Sequence, residues 1–239
     1  MLVDWLNTLL GVGERAFNCS SMESFMSRMQ QSMAVLVLAL ALVGLVGCDR
    51  EPQAVRDANP VRVAEMQETF RALWLGHIFS VQHVVLYNAT TSQMDRDTAE
   101  KEVEANAKQF AITLTPFYGE ARSEKFFTLL VAHYVAVKEY SEATIAGNKP
   151  QQDAALAGLA SNADLFAEFL NGVTPYLSKD TVRGLIAAHG SHHVLQINLY
   201  KKKDYAQLEA IWPLMRQHVY LIADTITMAL VKQFPDKFS

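Results

Sequence analysis

From Val61 onward, apolar residues recur at spacings of three and four, as in Phe70, Leu73, Val81 and Val84 around His77. That period puts them on one stripe of an α-helix, and no stretch alternates at period two as a half-buried strand would. Turn-forming and polar residues interrupt the pattern at 88–96, 116–121, 147–150, 172–178 and 201–204. The interruptions predict six helices and an all-α fold. A different pattern precedes them: Met33 to Gly47 is an uncharged apolar run with no polar stripe.

Sliding the sequence against itself at an offset of 56 aligns His77, His133 and His189, together with Leu73, Leu129 and Leu185. The small residues Gly76, Ala132 and Ala188 fall just before each histidine. The same offset aligns Asn106, Asn162 and His218, then Phe110, Phe166 and Ile222, then Leu114, Leu170 and Ile226. Residues 61–239 are therefore expected to form one helical domain of three tandem hairpins, repeats 65–120, 121–178 and 179–238, packed as a six-helix bundle. The period matches none of the familiar helical solenoids, whose repeats run about 33 to 47 residues.

Helix rise alone places the polar positions of each hairpin. His77 precedes the first turn by as much as Asn106 follows it, so at ~1.5 Å per residue both stand roughly 14 to 16 Å from the turn. Both lie on apolar stripes, and the second and third hairpins repeat the arrangement with His133 and Asn162, then His189 and His218. A buried imidazole or amide without a partner costs a few kcal/mol, so the pairs need an explanation. One is that histidine and asparagine hydrogen-bond each other and fix hairpin register. The other is that the hairpins close around a pseudo-threefold axis, so that His77, His133 and His189 converge with an open fourth position. Three neutral imidazoles in that arrangement suit zinc, copper or iron. An open array of hairpins would instead give a ladder of pairs and no centre.

Asn106, Asn162, His218, His193 and Asp224 are flanking candidates. His189 and His193 are i and i+4, the spacing by which two imidazoles share a metal on one helical face. His192 faces elsewhere, and His83 lies about 240° round its helix from His77. Asp224 sits in a long uncharged stretch and needs a partner; Arg71 and Arg183 are expected to pair with Asp224 and with its repeat mate Glu168. Core histidines near an aspartate make the chain similar to hemerythrin-like di-iron proteins, but H-x-x-x-E is absent and His218 to Asp224 is one residue too long for that pattern. No general base or substrate cleft is identifiable, so no catalytic residue is assigned.

Composition narrows the classes further. The chain has 239 residues, 50% hydrophobic and 19% charged, with a net charge of −4. No basic field exists to hold nucleic acid by counterion release, and no glycine-rich loop exists to cradle a nucleotide. The two cysteines, Cys19 and Cys48, both precede the helical region, which excludes thiolate zinc sites and cysteine nucleophiles there.

The run from Met33 to Gly47 is short of the roughly 20 residues that span a bilayer and suits the apolar region of a signal peptide. It ends in Leu45-Val46-Gly47-Cys48, which resembles a bacterial lipobox. That resemblance implies acylation of Cys48, a signal peptide over 26–47, an over-extended start over 1–25 and a tether over 48–60. Asp49 is similar to the inner-membrane retention signal of enteric lipoproteins, implying the periplasmic face of that membrane. The remainder resembles a group of uncharacterised bacterial helical proteins that share A-N-A-x-x-x-A-E-F-L and K-Q-F-P-x-K-F, here Ser161 to Leu170 and Lys232 to Phe238. The reading is a lipid-anchored envelope protein whose helical domain binds a metal ion or small polar ligand. The alternative is a structural or interaction module for an envelope protein partner.

Overall fold

The computed structural model describes residues 52–88 and 92–239; the expected signal peptide and lipobox, with Cys48, lie outside them. The described residues are helical and contain no strand. After one turn, α1 (Gln53–Arg56), come six long helices: α2 (Pro60–Asn88), α3 (Gln93–Tyr118), α4 (Glu120–Ala146), α5 (Lys149–Val173), α6 (Lys179–Lys202) and α7 (Tyr205–Gln233). A final 3₁₀ turn covers Pro235–Lys237.

The helix ends follow from side chains that satisfy otherwise unpaired backbone N–H groups. Ser92, Asn148 and Asp204 each accept a hydrogen bond from the backbone N–H three residues on, at Asp95, Gln151 and Gln207. These three caps are themselves 56 residues apart, so the repeat seen in the apolar stripe extends to the signals that start the second helix of each hairpin. Gly147 ends α4 in the left-handed region at φ 70°, and Lys203 ends α6 in the same way at φ 58°. Between the first two hairpins Gly119 alone separates α3 from α4, and Pro116 is held within the last turn of α3. That is a tighter junction than the break expected over 116–121.

Consecutive helices pack on one another, and α7 returns to pack on α2, which closes the hairpins into a ring. Helix α4 also packs on α6 and α2, so the first helices of the three hairpins meet at the centre. The core they enclose divides into two clusters. The larger contains Trp74, Phe110, Phe126, Phe166 and much of α7; the smaller contains Val81, Val84, Val103, Val137, Tyr140 and Ile197. Each fully buried large side chain contributes roughly 1.5–3 kcal/mol. The segment expected to be a free tether is docked from Pro52 onward. Val55 and Ala58 pack against the larger cluster, and the Asn59 N–H donates to Phe238 O at 2.6 Å. The reason is apolar: these two side chains find uncovered surface beside α7.

Candidate metal centre

Closure of the ring decides between the two arrangements that helical periodicity leaves open. His77 on α2, His133 on α4 and His189 on α6 meet at the centre, 1%, 2% and 1% exposed. They lie where the two core clusters join, His77 between Trp74 and Val81, His133 between Leu129 and Val137. A fourth imidazole joins them. His193, fully buried, sits one turn beyond His189, and its Nε2 is 3.2 Å from His189 Nε2. The six ring-to-ring distances among the four run from 4.6 to 5.9 Å. One nitrogen from each imidazole can be chosen so that all four lie within 4.8 Å of one another.

The position expected to stand open is thus filled by His193, placed above among the flanking residues. The repeat frame carries a signal for it: the equivalent residues of the first two hairpins are Val81 and Val137, both buried. Replacing an invariant core valine of the frame by histidine makes sense only if the imidazole has work to do there. Two further residues join the surroundings without having been singled out. Gln196, 2% exposed, has neither amide atom hydrogen-bonded. Trp74 stands nearly perpendicular to His77 and His189 at centroid distances of 5.8 and 5.4 Å, with its indole N–H unpaired.

The asparagine N–H groups go to the backbone and not to the histidines. Asn106 Nδ2 donates to Leu73 O at 3.0 Å, and Asn162 Nδ2 donates to Leu129 O at the same distance. His218 Nε2 makes the equivalent contact with Leu185 O at 2.9 Å. One hydrogen bond therefore recurs in all three hairpins between the same two repeat positions. A helix carbonyl has two lone pairs, so it can take this second donor while keeping its place in the helix. The residue before each histidine is small where the amide crosses: a Cβ at Gly76 would stand 3.0 Å from Asn106 Nδ2, and alanine holds the place in the other two hairpins. Register is thus held by the amides and backbone, not by histidine–asparagine pairs.

That leaves the imidazoles without partners. Both ring nitrogens of His77 and of His133 are buried and unbonded, as are Nδ1 of His189 and Nδ1 of His193. Six of the eight ring nitrogens in the cluster are orphans, each costing on the order of 1–3 kcal/mol. The electrostatics match. Burial pushes the His77 imidazolium down to about 3, with His133 adding repulsion. Burial takes His133 to about 4, opposed in part by Asn162. His189 and His193 are lowered well below the ordinary value, by burial first and then by neighbouring imidazoles. All four are neutral at pH 7, the form that donates a lone pair to a metal.

Zinc–nitrogen bonds of about 2.0–2.1 Å in a tetrahedron require nitrogens roughly 3.3 Å apart. His189 and His193 already stand at 3.2 Å. The wider pairs, up to 4.8 Å apart, would have to close by rotation of the terminal ring torsions, which are soft.

The remaining candidates fall outside the tetrad. Asp224 receives two hydrogen bonds from Arg71, at 2.8 and 2.7 Å, while the guanidinium lies over the Tyr220 ring. The expected Arg71 pairing with Asp224 is present, but Arg183 pairs with Asp164 at 2.6 Å and Glu168 faces Lys179 at 3.5 Å. Asp164 is one turn nearer than Glu168 on the same helix. His83 is exposed and meets Glu102 at 3.0 Å. His192 and His218 are half-buried beside one another, their rings 5.0 Å apart. No described helix is long and apolar enough to cross a membrane. Comparison of the chain with protein-family models, with curated proteins and with solved structures returned no match.

Proposed function

We propose that this domain holds one first-row transition metal ion, of the zinc, copper or iron class, on His77, His133, His189 and His193. The observation that carries the reading is the set of six buried, unbonded ring nitrogens in one cluster of neutral imidazoles. A single cation would take a lone pair from each ring and turn the largest polar penalty in the core into coordination bonds. Four protein ligands and full burial leave no open position of the kind hydrolytic metal sites keep, which suits retention of an ion over hydrolysis. The competing reading, a polar layer that only sets register for an interaction module, loses force because the amide-to-carbonyl bonds already set register without the histidines.

The test is elemental analysis of the full chain, purified in detergent without a histidine tag, beside a His77→Ala, His133→Ala, His189→Ala variant. One metal per wild-type chain and none in a variant that keeps its helical circular dichroism is the expected result. Absence of metal from wild type, with no uptake of added Zn²⁺ or Co²⁺, would leave the interaction module as the better reading.

The leader supplies the address of the same proposal: Leu45-Val46-Gly47-Cys48 supports acylation at Cys48 and a short tether to the membrane. Two acyl chains, at about 0.8 kcal/mol per buried methylene, suffice for stable anchoring. Cys48→Ser should shift the protein from the membrane fraction to the soluble fraction, and unchanged sedimentation with membranes would refute the lipid anchor.

A further inference from the structure

The buried tetrad needs a route by which a hydrated ion reaches it, and two grooves approach it. One, about 220 Å³, runs between α5 and α6 and passes Gly190, where a Cβ would lie 3.7 Å from His133 Cε1. Its lining is Leu, Ile, Val, Ala and Gly with a single serine, Ser191. A cation shedding water there meets almost nothing to replace it. The other groove, about 560 Å³ and open to solvent, is lined by His192, His218, Asp224, Gln217 and Tyr220 along with two leucines.

The two histidines of this groove are arranged for ligation. His218 Nε2 lies 2.9 Å from Leu185 O, and a carbonyl only accepts, so Nε2 carries the proton and Nδ1 the lone pair. His192 Nδ1 is buried without a partner, so the ring meets the groove through Nε2. The two rings stand 5.0 Å apart, edge to face. On its inner side His218 lies parallel to His189 of the tetrad, with centroids 6.5 Å apart and planes within 13°. Imidazoles thus run in an unbroken series from the groove to the centre. The Asp224 carboxylate is engaged by Arg71, so capture falls to the two rings. The frame again marks both residues: the positions of His192 are Ser80 and Ala136 in the other hairpins, and those of His218 are Asn106 and Asn162.

We infer that His192 and His218 form a surface loading site that takes a hydrated divalent transition-metal ion from solvent and passes it to His189 and the tetrad. The inference rests on the metal-binding reading above. The transfer is ligand exchange: imidazole lone pairs replace water on the ion, and nothing is oxidised or reduced.

The experiment is stopped-flow mixing of the metal-free full chain with Co²⁺, followed by the visible ligand-field absorption of the bound ion. His218→Asn installs the residue that the first two hairpins carry, and Asn106 and Asn162 show that it keeps the carbonyl hydrogen bond. His192→Ala trims a half-buried ring. Each substitution should slow loading on the order of tenfold, as loss of a local cation-concentrating site does. The final stoichiometry and absorption spectrum should match wild type. Wild-type rates in both variants would overturn the loading site while leaving the buried centre intact. A changed final spectrum or stoichiometry would also overturn it, by making these residues ligands of the centre itself. Failure of wild type to bind Co²⁺ at all would remove the buried centre, and the loading site with it.

Discussion

The third hairpin and the first two share a frame, and the polar differences between them gather at the centre and on its path to solvent. In all three, a capping side chain starts the second helix and a second-helix side chain reaches the same backbone carbonyl of the first. Against that constancy, His193 replaces Val81 and Val137, and Gln196 replaces Val84 and Tyr140. His192 replaces Ser80 and Ala136, and His218 replaces two asparagines. Apart from the repeat histidines His77, His133 and His189, folding demands explain the shared residues, because each caps a helix, fixes register or fills the core. They do not explain the departures, since His193 and Gln196 put polar atoms without partners where the other hairpins put hydrocarbon or, in Tyr140, a phenol bonded to Asn198. What the comparison teaches is where the molecule accepts instability, and buried polar groups that cost stability mark function more surely than buried groups that add to it.

Returning the third hairpin to the frame should have the largest effect. His193→Val installs the residue found at positions 81 and 137, and it removes one of four ligands. Metal affinity should fall by more than the ~10–100-fold that outer partners of a metal site are worth. The metal-free protein should be no less stable, because an imidazole with an orphaned nitrogen gives way to an apolar group; the smaller valine returns part of that gain as lost packing. Calorimetric titration with Zn²⁺ and thermal melts with and without metal test both halves. A metal-free variant that melts several degrees lower with unchanged affinity would make His193 a frame residue and break the comparison.

Acid should separate the hairpins by a smaller amount. His77 and His133 have folded-state values of about 3 and about 4, below the ordinary 6.5, because burial disfavours the charged ring. Between pH 6.5 and those values the unfolded chain binds protons that the metal-free folded chain refuses, so stability falls as pH falls. Above pH 6.5 both states are neutral and the dependence vanishes. Each imidazole kept neutral contributes a slope of about 1.4 kcal/mol per pH unit. Urea midpoints of the metal-free protein at pH 7, 6 and 5 should decline accordingly, and His193→Val should show a shallower decline because one refused proton is gone. Equal slopes in wild type and variant would mean that His193 titrates freely in the fold.

Much of this frame is legible in the sequence because it is local. The stripe period, the breaks and the 56-residue offset follow from how single helices start, stop and bury one face. Ring closure is not local: stripes show that α2 and α7 each bury a face, but not that they bury it against each other. Helix rise locates the Asn106 amide beside His77 but does not reveal that the amide turns to the Leu73 carbonyl. His193 is visible as the i+4 mate of His189, and the valines at the same place in the other hairpins are what set it apart. Trp74 and Gln196 carried no signal beyond ordinary membership of an apolar stripe and a polar residue on a buried helix.

The smallest effect concerns the turns. Gly147 and Lys203 occupy the same place in the frame, both end a helix with positive φ, and their N–H groups bond the equivalent carbonyls of Thr144 and Tyr200. Glycine adopts this conformation freely, whereas a side chain clashes with the following carbonyl at a cost of roughly 1–2 kcal/mol. Lys203→Gly should therefore stabilise the protein by about 0.5–1 kcal/mol, after allowing for the extra freedom glycine gives the unfolded chain. In a domain of this size that is a rise in Tm of roughly 1–4 °C, readable by calorimetry. Lys203 lies ten residues beyond His193, about 15 Å along the helix, so metal affinity and loading rate should not change. Gly147→Lys should lose what Lys203→Gly gains. Matching gain and loss would mark this position as frame, set by the turn alone. An altered loading rate in Lys203→Gly would extend the functional departures of the third hairpin to its turn.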